Sequence, residues 1–227
     1  MRIGVLGTGV VGRTLSGKLA ELEHDVMMGT RNVDALLARQ EEPAFGGETF
    51  ADWRTRHPDV HLGTFAQSAA HAELIFNATS GLGALDALSA ADDANLKSKI
   101  LVDISIPLDF SQGMPPFLSV SNMDSLGEQI QRAHPGARVV KTLNTVNARV
   151  MVDPQAVGGG DHHVFVSGDD PMAKEEVTGI LRDWFGWRNI LDLGDISTAR
   201  GTEMYLALWI RIFPVLGTAV FNVRIVQ

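Results

Sequence analysis

Gly7-Thr8-Gly9-Val10-Val11-Gly12 places three glycines where a backbone could close around a phosphate. Gly7 permits a tight turn, Gly9 lets the main chain approach a pyrophosphate, and Gly12 lets the following helix pack close to the preceding strand. The spacing suits anion binding by the free N–H groups and positive dipole end of a helix N-terminus. A second cluster, Thr30-Arg31-Asn32, ends the next apolar run. In nicotinamide-binding folds an Asp or Glu at this place bonds the ribose 2′-hydroxyl and repels a 2′-phosphate. Neither acid is present. Arg31 can form a forked, charge-assisted pair with a phosphate and stack on adenine, and Thr30 and Asn32 can add neutral donors. The two clusters together predict a dinucleotide site that takes NADP(H).

The elements needed to hold these clusters are legible. Met1 to Leu6 is short, apolar and rich in β-formers, as a buried parallel strand should be. Val11, Leu15, Leu19 and Leu22 recur at helical spacing, so the glycines sit at a strand-to-helix turn. Asp25 to Gly29 reads as the second strand, Val60 to Phe65 as a third, followed by a helix from Ala66 to Ala72. Leu74 to Ala78, Lys99 to Ile104 and Arg138 to Leu143 read as the fourth, fifth and sixth strands. Such alternation predicts an α/β fold, a doubly wound Rossmann parallel sheet. The segment from Glu41 to Asp59 breaks the pattern with Pro43, Gly46 and Gly47 and reads as an irregular insertion with a short helix near Phe50 to Arg56. After Asn144 come a strand at His163 to Ser167, a helix at Asp170 to Phe185, a strand at Arg188 to Leu193 and an apolar helix at Ser197 to Phe213. These form a small C-terminal αβ/helical domain, or extend the same sheet. The expected division is 1–150 for the cofactor domain and 151–227 for the substrate pocket and dimer interface.

Ligands of open parallel sheets sit outside the carboxyl ends of the strands. That rule nominates Ala78-Thr79-Ser80-Gly81, Asp103 to Pro107, and Lys141 to Asn147. Small residues at Ala78, Thr79 and Ser80 suit a backbone lying against a cofactor, although Thr79 and Ser80 could instead cap the next helix. Pro107 fixes an extended turn that could line a nicotinamide pocket, with Ser105 beside it. Asp103 is open to two readings, a ligand-facing acid or an acceptor for loop N–H groups. The run Lys141-Thr142-Leu143-Asn144-Thr145-Val146-Asn147 is unusually polar for a strand end, so it implies a hydrogen-bonded loop or a ligand. Lys141 and Asn144 are taken as cofactor contacts. His162-His163 lacks further ligands at metal-binding spacing, and no metal is expected. Glu203, the one acid inside the apolar stretch of the last helix, must be paired or functional.

Composition narrows the classes. The chain has 227 residues, no cysteine and a net charge of −8. No cysteine means no disulfide, thiolate catalysis or cysteine metal site. No Lys/Arg stretch is dense enough for a nucleic-acid face. Met204 to Phe221 is mostly apolar, but Arg211, Pro214 and Gly217 interrupt it, so no membrane span is expected. The first strand begins at once, without a basic or apolar leader, and a cytoplasmic location is expected. Leu206, Leu208, Trp209, Ile210, Ile212 and Phe213 make the last helix apolar nearly all round, which predicts a homodimer.

On the Gly7 to Gly12 turn, Gly29-Thr30-Arg31-Asn32, Asn77-Ala78-Thr79, Asp103-Ile104-Ser105-Ile106-Pro107-Leu108 and Val140-Lys141-Thr142-Leu143-Asn144-Thr145-Val146, the chain resembles the deazaflavin-dependent NADP reductases, the NADPH:coenzyme F-420 oxidoreductases. More distantly it resembles the cytoplasmic oxidoreductase domain of the STEAP metalloreductases. The resemblance extends to Glu203-Met204-Tyr205-Leu206. It implies a Rossmann domain, a small C-terminal domain, a homodimer, NADP(H) as cofactor and coenzyme F-420 as co-substrate, stacked near the nicotinamide. No acid–base pair or nucleophile presents itself, and hydride transfer between two rings needs none, so no catalytic side chain is expected. Two alternatives stay open: another NADPH-dependent reductase, of an imine, ketone or flavin, and a non-catalytic NADP(H)-binding regulatory module.

Overall fold

The computed structural model describes residues 1–39 and 48–227. The part of the expected insertion at 41–47 therefore lies outside the described residues. Ten strands are described: β1 (Arg2–Leu6), β2 (Asp25–Thr30), β3 (His61–Thr64), β4 (Leu74–Asn77), β5 (Ile100–Asp103), β6 (Leu108–Asp109), β7 (Phe117–Leu118), β8 (Arg138–Thr142), β9 (His163–Ser167) and β10 (Asn189–Asp192). Eight of them form one sheet in the order β10-β9-β8-β5-β4-β1-β2-β3, and β6 and β7 pair separately. Every neighbouring pair in the large sheet is parallel except β8 and β9, which run antiparallel. The parallel expectation is corrected at that one pair. β9 and β10 extend the same sheet, as the second reading of this region allowed.

Both faces of the sheet are covered by helices: α1 (Val10–Glu21), α2 (Val33–Leu37), α3 (Phe50–Arg56), α4 (Phe65–His71), α5 (Ala84–Ala91), α6 (Asp93–Leu96), α7 (Leu126–Ala133), α8 (Ala148–Val152), α9 (Pro171–Asp183) and α10 (Ala199–Leu216). Alternate strand residues sort into two apolar clusters, as the two-residue period of a strand requires. Ile3, Val5, Phe76 and Val140 join the cluster under α1, α3, α8 and α9. Leu6, Ile75, Leu101 and Val139 join the one under α4, α5, α7 and α10. The helix over β1–β2 and the helices over β4–β5 lie on opposite faces. The crevice at the carboxyl ends of β1 and β4 is thus the topological switch point where such folds bind ligands.

The last helix is only partly covered by its own chain. Ala199, Thr202, Glu203 and Leu206 are buried, but Leu208, Phe213, Val215 and Leu216 are exposed. It starts two residues later and runs three further than its periodicity predicts, ending at Gly217 in the left-handed conformation (φ 65°). No described helix is long and apolar enough to cross a membrane.

Candidate functional site

The strand ends line up. Leu6, Asn77, Asp103 and Lys141 stand in one row across β1, β4, β5 and β8. The loops that leave this row carry the residues nominated from sequence.

At the β1 end, Gly7 holds φ 114°, and a Cβ there would sit 2.5 Å from the Ala78 carbonyl oxygen. A Cβ on Gly12 would meet the Gly7 carbonyl oxygen at 2.1 Å. These two glycines are required by the protein itself. Gly9 differs: a Cβ there would have no neighbouring atom within 4 Å, so protein packing does not explain the glycine. Gly9 is also the N-cap of α1 and gives no side-chain cap, and no acid sits in the first turn. The first N–H groups of a 12-residue helix therefore face the crevice without acceptors among the described residues. Thr8, Val10 and Val11 are partly or fully exposed around this opening.

Thr30 ends β2, and Arg31 and Asn32 are exposed. Arg31 makes no ion pair with the described residues. Asn32 is committed locally: its Oδ1 accepts the Ala35 N–H at 2.9 Å and caps α2. Sequence reasoning passed over Arg13, in the first turn of α1. Its buried guanidinium donates to the Glu48 carbonyl at 2.8 Å, its Nε has no partner, and no carboxylate among the described residues pairs with it. Burial pulls its pKa below the usual arginine value. The one signal was a basic residue directly after the third glycine.

Ala78 and Thr79 are half-buried and Ser80 is exposed. The capping role weighed for Thr79 and Ser80 is absent: Ser80 precedes the next turn without a side-chain cap, and Thr79 Oγ1 donates to Asn77 Oδ1 at 2.7 Å. A Cβ on Gly81 would lie 1.8 Å from the Ile106 carbonyl oxygen. That contact brings the 78–81 loop against the 105–107 loop. Pro107 is buried there, and its carbonyl accepts the Ser119 N–H at 2.8 Å.

At the β5–β8 end the side chains bond one another. Lys141 is fully buried, and its Nζ donates to Asp103 Oδ2 at 2.8 Å, the Ser105 carbonyl at 2.5 Å and Glu203 Oε1 at 2.8 Å. All three ammonium hydrogens are thereby used. Burial pulls the Lys141 pKa down, but the carboxylates of Asp103 and Glu203 outweigh it, and the net shift is upward. Lys141 therefore stays charged, and its charge faces two acids in the core rather than a cofactor anion, as sequence had suggested. Asp103 Oδ1 accepts from Asn77 Nδ2 (2.8 Å), the Ser105 N–H (3.2 Å) and Ser105 Oγ (2.6 Å). Asp103 thus takes the structural reading. Glu203, the lone acid of the apolar stretch, is paired: besides Lys141 it accepts the N–H groups of Leu126 and Gly127 at 2.8 and 3.0 Å. These belong to the first turn of α7, whose dipole favours a negative charge there.

The polar run after Lys141 divides. Thr142 Oγ1 donates to the Phe165 carbonyl and Asn147 caps α8. Leu143 is held at φ 60°, a left-handed conformation that costs a non-glycine residue roughly 1–2 kcal/mol. It turns the chain so that two buried groups follow without partners, Asn144 Nδ2 and Thr145 Oγ1. Beside them lies an apolar cavity of about 300 Å³ lined by Thr145, Phe165, Leu193, Tyr205, Val223 and Ile225. The Tyr205 hydroxyl is also buried without a partner, and burial raises its pKa. His162 bonds the Pro154 carbonyl and Asn222, a structural role.

A family model described as NADP oxidoreductase, coenzyme F420-dependent, matches residues 2–107. A crystal structure provisionally assigned as an F420-dependent NADP-reductase from Arthrobacter sp. FB24 is 57% identical, with a TM-score of 0.94 and 99% of each chain covered. Among curated proteins, metalloreductase STEAP3 of Rattus norvegicus is 27% identical over 214 residues, which is 94% of this chain. The chain spans only 37% of that relative's length. A reductive aminase from Aspergillus terreus, solved with NADPH and ethyl levulinate, shares the fold at a TM-score of 0.63 and 15% identity, covering 95% of this chain and 62% of that one.

Proposed function

This chain belongs to the coenzyme F420-dependent NADP oxidoreductases, and from that premise we propose that it transfers a hydride directly between NADP(H) and a deazaflavin of the coenzyme F-420 type. The observation that carries the cofactor side is the open β1–β2 end. The bare Gly9, the uncapped α1 N-terminus and Arg31, which has no ion pair among the described residues, together suit a pyrophosphate and a 2′-phosphate. Thr79, Ser80, Ser105, Pro107 and Asn144 then border the nicotinamide. On the acceptor side, the apolar cavity beside Thr145 suits a flat ring, with Asn144 Nδ2 and the Thr145 and Tyr205 hydroxyls available to its polar edge.

When bound, the two rings supply the redox chemistry, one donating and one accepting the hydride. The protein binds, orients and excludes water. Gly9 and α1 would hold the phosphates, the 78–81 and 105–107 loops would set the ring plane, and the cavity walls would hold the acceptor against it. Residues 1–150 would hold the cofactor, and 151–227 would supply most of the acceptor cavity, with Asn144 and Thr145 of the first part at its edge. The exposed outer half of α10, with Leu208, Phe213, Val215 and Leu216, is the surface a second copy would cover in a homodimer. Light scattering at micromolar concentration tests this, and a monomeric mass excludes it.

Tyr205 supports a second reading, an NADPH-dependent reductase of an imine or ketone. That chemistry needs a proton donor, and the Tyr205 hydroxyl is the unpartnered candidate in the cavity. Anaerobic absorbance spectroscopy separates the two. Protein mixed with NADPH and deazaflavin should bleach the oxidised deazaflavin band, and Tyr205→Phe should keep turnover within a few-fold. No bleaching with NADPH bound, or turnover that depends wholly on the Tyr205 hydroxyl, favours the second reading.

A further inference from the structure

A continuous chain of buried hydrogen bonds crosses the molecule from α7 and α10 to the crevice. The N–H groups of Leu126 and Gly127 donate to Glu203, Glu203 faces Lys141, and Lys141 faces Asp103. Asp103 holds the Ser105 N–H and hydroxyl and the Asn77 amide. Asn77 Oδ1 in turn accepts the Thr79 N–H at 3.3 Å and the Thr79 hydroxyl at 2.7 Å. The chain ends on the two loops that border the crevice, at Thr79 and Ser105. Asn77, Asp103, Lys141 and Glu203 are each at most 1% exposed.

Two acids and one lysine leave this network one negative charge in excess. The excess is met by donors: three on Asp103 Oδ1 and two helix N–H groups on Glu203. Such a network has few alternative arrangements, because each member is an acceptor or donor that another member needs. We propose that Glu203 is a positioning residue: through Lys141 and Asp103 it sets the 105–107 and 78–81 loops, and so the alignment of the nicotinamide rather than the affinity for the cofactor. The inference rests on the reading of the crevice as an NADP(H) site. On that reading affinity comes from the phosphates at Gly9, α1 and Arg31, to which no member of the network hydrogen-bonds.

The test uses Glu203→Gln, which keeps the shape but offers one acceptor oxygen where three donors converge on two. Glu203→Asp, charged and one methylene shorter, serves if the Gln variant fails to fold. Arg200→Ala is the control, because Arg200 ties α10 to Glu128 of α7 at 2.8 and 2.5 Å without touching Lys141 or Asp103. Three quantities are read: NADPH affinity by calorimetry, nicotinamide fluorescence of bound NADPH, and the single-turnover rate to deazaflavin. The expectation for Glu203→Gln is affinity within about threefold, altered nicotinamide emission, and a rate lower by roughly 10- to 100-fold, the scale of a 1 Å misplacement. Glu203→Asp falls between it and the wild type, and Arg200→Ala matches the wild type in rate and emission. Unchanged rate and emission in both Glu203 variants overturn the proposal, as does an equal loss in Arg200→Ala. A wild type that does not bind NADPH refutes the cofactor reading instead. One that binds NADPH without reducing deazaflavin refutes the acceptor, and affinity and emission then still test Glu203.

Discussion

At the β1–β2 end of the sheet, polar groups are left without protein partners; at the β5–β8 end they are bonded to one another. Among the described residues, the first end offers helix N–H groups without a side-chain cap, a glycine with open space over it and an arginine without a carboxylate. The second holds a lysine whose three hydrogens are all used, between two buried acids. One end is built to receive charge from outside, the other to hold backbone loops still. On the proposed reading binding strength and ring alignment belong to separate residues, and variants at the two ends should fail differently.

The largest expected effect is at the closed end. Lys141→Met leaves Asp103 and Glu203 buried without their cation, and removing one partner of a buried ionic group costs about 3–5 kcal/mol. Urea unfolding measures it, and a loss under about 1 kcal/mol would mean that the ammonium does not hold the network. At the open end the fold should survive. Gly9→Val should melt with the wild type, because its Cβ meets no protein atom, yet lose on the order of 100-fold or more in NADPH affinity, about 2.7 kcal/mol. Gly12→Val should misfold, since its Cβ would strike the Gly7 carbonyl. Arg31→Ala should weaken NADPH by about 1.5–3 kcal/mol, the worth of a charge-assisted hydrogen bond, and leave NADH unchanged in calorimetry. Equal losses for both cofactors would move the 2′-phosphate elsewhere.

The smallest effect lies away from the site. A hydrogen bond from Arg138 and the N–H groups of Ala173 and Met172 hold the Asp170 carboxyl down at about 2, against an unfolded value of 3.8. Its contribution to stability is complete above about pH 4 and is lost as pH falls toward 2, because the folded pKa is the lower of the two. Asp170→Asn should therefore lower stability at pH 7 and narrow the difference from wild type as pH falls through that window, read by melting temperature.

The same contrast explains what could be read in the sequence. The Gly7 to Gly12 turn is legible because its geometry is local: a strand, a turn and a helix within a few residues. The sheet followed from apolar runs of the right length, and the boundaries of its eight strands shift by at most one residue in the structure. The direction of β9 did not, because strand periodicity is the same in parallel and antiparallel neighbours. Lys141 looked like a cofactor cation because it ends a strand at the binding edge. Its partners, Asp103 and Glu203, come from another strand and from the last helix, and only the register row and the packing of α10 bring them together. Glu203 was visible as the one acid in an apolar stretch, but its partner was not. The apolar pattern of α10 likewise could not say which half the chain itself would bury.

In the proposed reaction a hydride passes from ring to ring with no side chain carrying it. The direct measurement is a single turnover with NADPH deuterated at the transferred position of its nicotinamide, in ordinary water, with the reduced deazaflavin analysed by mass spectrometry. Direct transfer predicts one deuterium in the product per NADPH consumed. A reduced deazaflavin carrying only solvent hydrogen, with the label lost on the way, would contradict it.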